Sequence, residues 1–226
     1  MVGVITLGIE TATTTVSVAL GGDDGPLGTV EINRGRRHAE VVAPAIEFVC
    51  RHAQVSFDQI AVIGVDIGPG LFTGMRVGIA TAKVMAQTLQ VRIVGISSLD
   101  LLAHPLRHEQ RIIASVIDAR KGEVFYAFYR AEGEGLRRVG EPAVGSVADF
   151  NADVLARGQD VVAVGDGAWR YRDELETSVE VADLAHPSAA TLVALSRVIA
   201  LRDGDAGVVQ PMYLRAPDAQ INWSSR

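Results

Sequence analysis

Cysteine is almost missing from this chain, with one residue, Cys50, in 226. That excludes an internal disulfide and suits a reducing compartment. Histidine is also scarce, at five residues, too few to argue a Ser/His/Asp or Cys/His constellation. Basic side chains are in deficit: 21 Lys and Arg against 27 Asp and Glu leave a net charge of −6. A protein that grips nucleic acid unaided draws its affinity from neutralising phosphates, so this balance argues against autonomous nucleic-acid binding. No apolar run approaches membrane length, and the N-terminus shows no basic stretch leading into an apolar core. The expected setting is the cytoplasm, with no membrane partner. Aromatics are only 5%, yet hydrophobics reach 48% against 21% charged residues, the balance of a folded globular chain. Its length suffices for one large domain or two small lobes.

What is present reads first as strands. Val2 to Ile9, Val16 to Leu20 and Leu27 to Asn33 form an antiparallel meander, with a threonine turn between the first two. His38 to Ala53 then carries a broad helical stripe through Val42, Ile46 and Val49, and Cys50 reads there as packing. Strand Ile60 to Ile67, helix Thr73 to Leu89, strand Val91 to Ile96 and a helix from Ser97 follow. Such alternation implies a mixed sheet with helices on its faces. The chain then restarts. Ile112 to Asp118 and Val124 to Arg130 make a second hairpin, followed by helix Val147 to Arg157, strand Val161 to Val164, the turn "GDGAW" and helix Ser188 to Arg202. The tail from Gln210 to Arg226 has no periodicity and reads as partly disordered.

The stretch "GVDIGPGLFTGMRVGIATAK", Gly64 to Lys83, joins a strand to a helix through a glycine loop, the layout of a phosphate cradle. Its lettering fits neither standard cradle. Gly68, Gly70 and Gly74 are spaced one residue too long for the dinucleotide fingerprint, and no acid follows until Asp100. No Gly-Lys-Ser/Thr closes the loop either; Arg76 is the nearest cation. On the helix that follows, Gly74, Gly78, Ala82 and Ala86 recur at every fourth position, a small-residue stripe that admits another backbone. Both packing on its own sheet and packing on a partner use such a stripe.

The two hairpins match each other: Ile9-Glu10 aligns with Ile117-Asp118 and Val16 with Val124, with the same step from acid to valine. An acid-tipped hairpin in each of two lobes resembles the actin, hexokinase and heat-shock chaperone superfamily, which holds nucleotide between its lobes. The segments "GIETATTTVSVAL", "HAEVVAPAI", "DIGPGLFTGMRVGIATAK", "ISSLDLLA", "DARKGEVFYAFY", "GDGA" and "PMYLR", in this order, resemble the TsaB family of bacterial tRNA threonylcarbamoyladenosine biosynthesis proteins. Only Ala131 to Asp160 and the last ten residues contribute little.

The resemblance implies an α/β fold of two related actin/hexokinase-like lobes, each a mixed sheet with an antiparallel meander and flanking helices. The lobes are expected at 1–108 and 109–188, with a C-terminal helix and tail, 189–226, rejoining the first lobe. It also implies a non-catalytic subunit that binds and orients a catalytic paralogue, TsaD, and with it the ATPase TsaE. TsaD transfers threonylcarbamoyl to the adenosine 3′ of a tRNA anticodon. The chain pairs with itself when TsaD is missing, and tRNA is met mainly through the complex. The catalytic paralogue carries its metal on an H-x-x-x-H helix, and the matching positions here are Ser98 and Leu102. A hydroxyl and an isobutyl group do not replace two imidazoles. No cofactor is therefore expected.

Glu10, Gly68, Gly70, Asp118, Gly165 and Gly167 occupy positions where the superfamily meets nucleotide, and they stand as vestigial contacts. Glu10 replaces the usual Asp, and Ala12, Ala119 and Arg120 replace the glycines that let phosphate approach the hairpin in the superfamily's kinases. His104 and His108 lie four apart, but Pro105 interrupts the face they would share. "NRGRRH", Asn33 to His38, reads as a solvated loop, with contact to tRNA or to a partner's acids the lesser reading. Two neighbouring helices with broad apolar stripes point to a partner surface at Val42, Ile46, Val49, Gly74, Gly78, Ala82 and Ala86. The alternative is a self-sufficient small-molecule kinase or carbamoyltransferase of the same superfamily. A glycoprotein peptidase has little support, lacking both H-E-x-x-H and a triad.

Overall fold

The computed structural model describes residues 4–33, 37–202 and 209–215. Strands β1 (Ile5–Glu10), β2 (Val16–Gly22) and β3 (Gly25–Ile32) pair as an antiparallel meander. Strand β4 (Ile60–Asp66) adds parallel to β1, and β5 (Arg92–Ile96) adds parallel to β4, giving the order β3-β2-β1-β4-β5. The runs "ITLGIE" and "IAVIGVD" show no polar alternation because both faces of the sheet are covered. On one face lie α1 (His38–His52) and α2 (Phe72–Leu89), packed over Leu7, Ile9, Ile63 and Val65. The other face, through Gly8, Ala19, Val62, Gly64 and Val94, takes the later helix Ala189–Arg202.

After β5, α3 (Ser98–Ala103) starts on the Ser97 hydroxyl, which accepts the Leu99 N–H at 3.1 Å. Its Leu101 packs with the first sheet, while Leu99, Leu102 and Ala103 pack with the second, so this short helix joins the two cores. The second sheet holds β6 (Ile112–Arg120), β7 (Glu123–Glu132), β8 (Gly135–Arg138), β9 (Ala143–Ser146), β10 (Val161–Val164) and β11 (Val179–Val181). Its order is β11-β10-β6-β7-β8, with β9 also on β7. Helix α4 (Val147–Arg157) begins in a capping box between Ser146 and Asp149 and ends at Gly158 in left-handed conformation (φ 60°). It stacks Phe150 on Phe128 at 5.6 Å and meets Tyr126 edge-on at 5.3 Å. Helix α5 (Asp166–Arg170) follows β10, and α6 (Ala189–Arg202) returns to the first sheet.

The two mixed sheets with meanders and flanking helices agree with the fold expected from the sequence. Three local readings change. "GDGAW" is not a bare turn but contains α5. The segment 131–160, silent to motif reading, supplies β8 and β9, half-buried strands too short and polar to show a period. In the tail, residues 209–215 are placed, with Val209 buried and the Met212 N–H donating to Ile67 O at 2.8 Å. Residues 216–226 and Arg34 to Arg36 lie outside the described residues.

Candidate functional site

Between the lobes lies a cleft of about 410 Å³, walled by Pro69 to Phe72 and Met75 on one side and by Asp118 to Arg120 and Phe125 on the other. Residues Met212 to Arg215 cross it. Besides the Met212 link to the first lobe, Arg215 Nη1 donates to Ala119 O at 2.8 Å and its guanidinium pairs with Glu123 in the second. Tyr213 stacks on Phe72 at 5.4 Å and receives the Arg76 Nε–H at 3.0 Å. "PMYLR" is therefore a strap tying both lobes. Sequence reading gives it as a family motif within an aperiodic tail and not as a strap, because its order comes from contacts more than ninety residues distant in the chain.

The acids at the strand ends turn inward. Glu10 closes β1, fully buried, and its Oε1 accepts the N–H groups of Ala12 (2.8 Å) and Thr13 (3.2 Å). That holds a turn whose other groups are also engaged. Thr11 Oγ1 donates to Gly74 O at 2.8 Å, His38 Nε2–H donates to Thr13 O at 2.8 Å, and Ala12 O accepts the Leu71 N–H at 2.6 Å. Asp66 closes β4, equally buried; its Oδ1 accepts the Gly68 N–H at 2.7 Å and the Ser98 hydroxyl at 2.6 Å. Burial, and then the like charge of Asp66, holds the Glu10 carboxyl well above the usual range. Burial likewise pushes Asp66 up to about 7, against the lowering effect of Ser98 and the Gly68 N–H.

Asp118 is differently placed. Its Oδ1 accepts the Arg120 N–H at 2.9 Å, and its Oδ2 lies 3.1 Å from the Arg120 guanidinium and 3.6 Å from that of Arg170. Asp166 caps the backbone beside it, accepting the Asp118 N–H at 3.0 Å, and burial raises its carboxyl. Ser98 and Leu102, at the positions of the paralogue's metal ligands, are both core residues here, Ser98 spent on Asp66.

The glycines explain the opening of the loop. A Cβ on Gly70 would collide with Ala12 O, one on Gly74 with Thr11 O, and one on Gly78 with Thr11 Oγ1. The glycine loop and α2 thus cradle the chain's own β1–β2 turn. Gly68, in left-handed backbone (φ 94°), closes on Met75. Gly165 (φ 111°) and Gly167 similarly let the turn after β10 settle on β6 at Val116 and Ile117. A nucleotide with magnesium does not fit these residues: Glu10 and Asp66 are sealed, Asp118 is matched by two arginines, Gly70, Gly165 and Gly167 abut backbone, and Gly68 abuts Met75.

The partner assignment made from the stripe needs correcting. Val42, Ile46 and Val49 are each 3% exposed, and Gly74, Gly78, Ala82 and Ala86 are buried as well. All seven face the first-lobe sheet and its turn. The outward sides of the same helices carry Phe48 and Val84, exposed by 48% and 64%. Asp66 and Arg170 were not singled out from the sequence. An acid ending an apolar strand was the available signal for Asp66, but only strand pairing brings it beside Glu10.

Comparison with known proteins agrees with this architecture. The family model described as "TsaD: tRNA N6-adenosine threonylcarbamoyltransferase" matches residues 28–223. The tRNA threonylcarbamoyladenosine biosynthesis protein TsaB of Bacillus subtilis is 25% identical over 223 residues, covering 96% of each chain. The chain belongs to the TsaB family. A solved Pseudomonas aeruginosa protein, described as uncharacterized with similarity to peptidase YEAZ, superposes with a TM-score of 0.81 at 28% identity. That match covers 95% of this chain and 100% of the other. The ethanolamine utilization protein EutJ of Carboxydothermus hydrogenoformans shares the fold alone, with a TM-score of 0.52 at 11% identity over 85% and 89% of the two chains. The fold of two mixed sheets with flanking helices is thus shared with these solved proteins. Among the described residues no helix is long and apolar enough to cross a membrane.

Proposed function

We propose that this TsaB-family chain is a non-catalytic activating subunit of tRNA N6-threonylcarbamoyladenosine synthesis, which binds and orients TsaD and, with it, the ATPase TsaE. The observation that carries the reading is the fate of the acids at the strand ends. Glu10 and Asp66 bind their own turns, Asp118 binds two arginines, and Ser98 is spent on Asp66. A kinase of this superfamily needs such groups turned toward substrate, so the same observation weighs against that alternative. The partner surface we assign is the outer side of α1 and α2, where Phe48 and Val84 stand exposed on adjacent helices. An exposed aromatic side chain such as that of Phe48 suits the anchor of a protein interface. A second copy of the chain takes this face when TsaD is missing, and tRNA meets the complex mainly through TsaD, in keeping with the net charge of −6.

The test is tRNA modification reconstituted from purified TsaD, TsaE, threonylcarbamoyl-adenylate and this chain. Modification that collapses when the chain is omitted, with neither ATP hydrolysis nor modification by the chain alone, is the expected result. Undiminished turnover in its absence, or robust turnover by the chain alone, overturns the reading.

A further inference from the structure

Parallel pairing sets Ile9 of β1 against Val65 of β4, so the next residues, Glu10 and Asp66, emerge side by side. Both are 0% exposed. Each commits one carboxyl oxygen to its following turn and leaves the other, Glu10 Oε2 and Asp66 Oδ2, buried with no hydrogen-bond partner among the described residues. The charges that reach them are of their own sign: Glu31 on β3 acts on Glu10, and Asp100 on α3 acts on Asp66. From the other packed elements, α3 offers the neutral Ser98 hydroxyl, and α1 offers His38, which is engaged by Thr13 O. Helix α2 meets the turn through the uncharged Gly74 and Gly78, and α6 meets β1 and β4 through the uncharged Ala189, Leu192, Val193 and Ser196. Two sealed carboxylates in this setting cannot both ionise without leaving an uncompensated buried charge.

We propose that Glu10 and Asp66 keep one proton between them at neutral pH, and that its loss loosens the two turns, 11–13 and 67–70, on which the start of α2 is seated. A proton held by the folded chain and not by the unfolded one makes stability fall as pH rises. Asp66 sits at about 7 when folded. The contribution is therefore complete below the ordinary carboxyl range and is lost as pH climbs through that value. The proton is the neutralising species, in place of a cation.

Three measurements on the full chain test this. Infrared spectra of the wild type at neutral pH should show a protonated carboxyl stretch that Glu10→Gln or Asp66→Asn alters and that alkali removes. Across the window, the wild-type folding constant should fall by up to about tenfold per pH unit relative to Asp66→Asn. Amide protection at 11–13 and 67–70, corrected for intrinsic exchange, should fall over the same window in the wild type but not in Asp66→Asn. If a variant does not fold, the wild-type infrared titration still decides. No protonated carboxyl in the wild type, parallel pH profiles for wild type and Asp66→Asn, or stabilisation by added magnesium or calcium that Asp66→Asn abolishes would each overturn the proposal. Turns that lose protection only together with the whole lobe would overturn its second half.

Discussion

Glu10 and Asp118 hold equivalent places at the heads of two related hairpins, yet one is roofed and the other opens on the cleft. Over Glu10, the turn 11–13 is covered by Gly74 and Gly78 of α2 and by His38 of α1, with Asp66 pressed alongside. At the second head, β6 and β7 run on to pair Arg120 with Glu123, and Lys121 (φ 59°) and Gly122 (φ 79°) make the two-residue turn. A Cβ on Gly122 would meet nothing within 4 Å among the described residues. Room at the open head admits two guanidinium groups to Asp118; the roofed head has none to spare. The acid at a hairpin head is thus neutralised by arginine in one lobe and, as proposed, by a proton in the other.

The contrast breaks most visibly if the roof is lifted. Replacing Gly78 with Leu drives four carbon atoms into Thr11 and should destabilise the isolated chain by about 3 kcal/mol or more, read by urea unfolding. An unchanged midpoint would mean that the small-residue stripe faces outward after all, toward a partner.

A smaller effect, of opposite sign in the two lobes, sharpens the comparison. Asp118→Asn removes the charge that Arg120 faces and should cost about 1 kcal/mol near neutral pH. Glu10→Gln keeps an acceptor for the Ala12 and Thr13 N–H groups while removing a buried ionisable group. It should leave stability unchanged in acid and raise it in alkali. Equal losses from both substitutions, measured on one pH series, would show that both heads use their acids in the same way.

The smallest effect on stability should come from the outer side of α2. Val84 is 64% exposed, so Val84→Glu should change folding stability by less than about 0.5 kcal/mol. The same substitution should weaken TsaD binding by about tenfold or more, measured by calorimetry. Native affinity would move the partner surface elsewhere.

Legibility followed the range of the interactions. The meander, the helix after the glycine loop and the restart at Ile112 were readable because period 2 and period 3.6 are local signals. The stripe Gly74-Gly78-Ala82-Ala86 was equally plain as a stripe, but periodicity names a face and not what covers it. The covering element is a turn more than sixty residues upstream, held by Thr11 to Gly74. The strap Met212 to Arg215 and the Glu10–Asp66 pair escaped for the same reason: a tail without a period and an acid ending a strand mean little until distant segments meet.

By itself the sequence determined the class of the fold, its two hairpin-headed halves and its family likeness, since these rest on apolar patterning and short motifs carried along the chain. Tertiary structure alone decided which way each acid and each glycine points. Strand register, set when β4 pairs with β1, brings Asp66 beside Glu10, and close packing of α2 on the β1–β2 turn spends the glycines on backbone contact. Burial, and with it charge state, is a property of what folds over a residue, and that is settled only when the whole lobe closes.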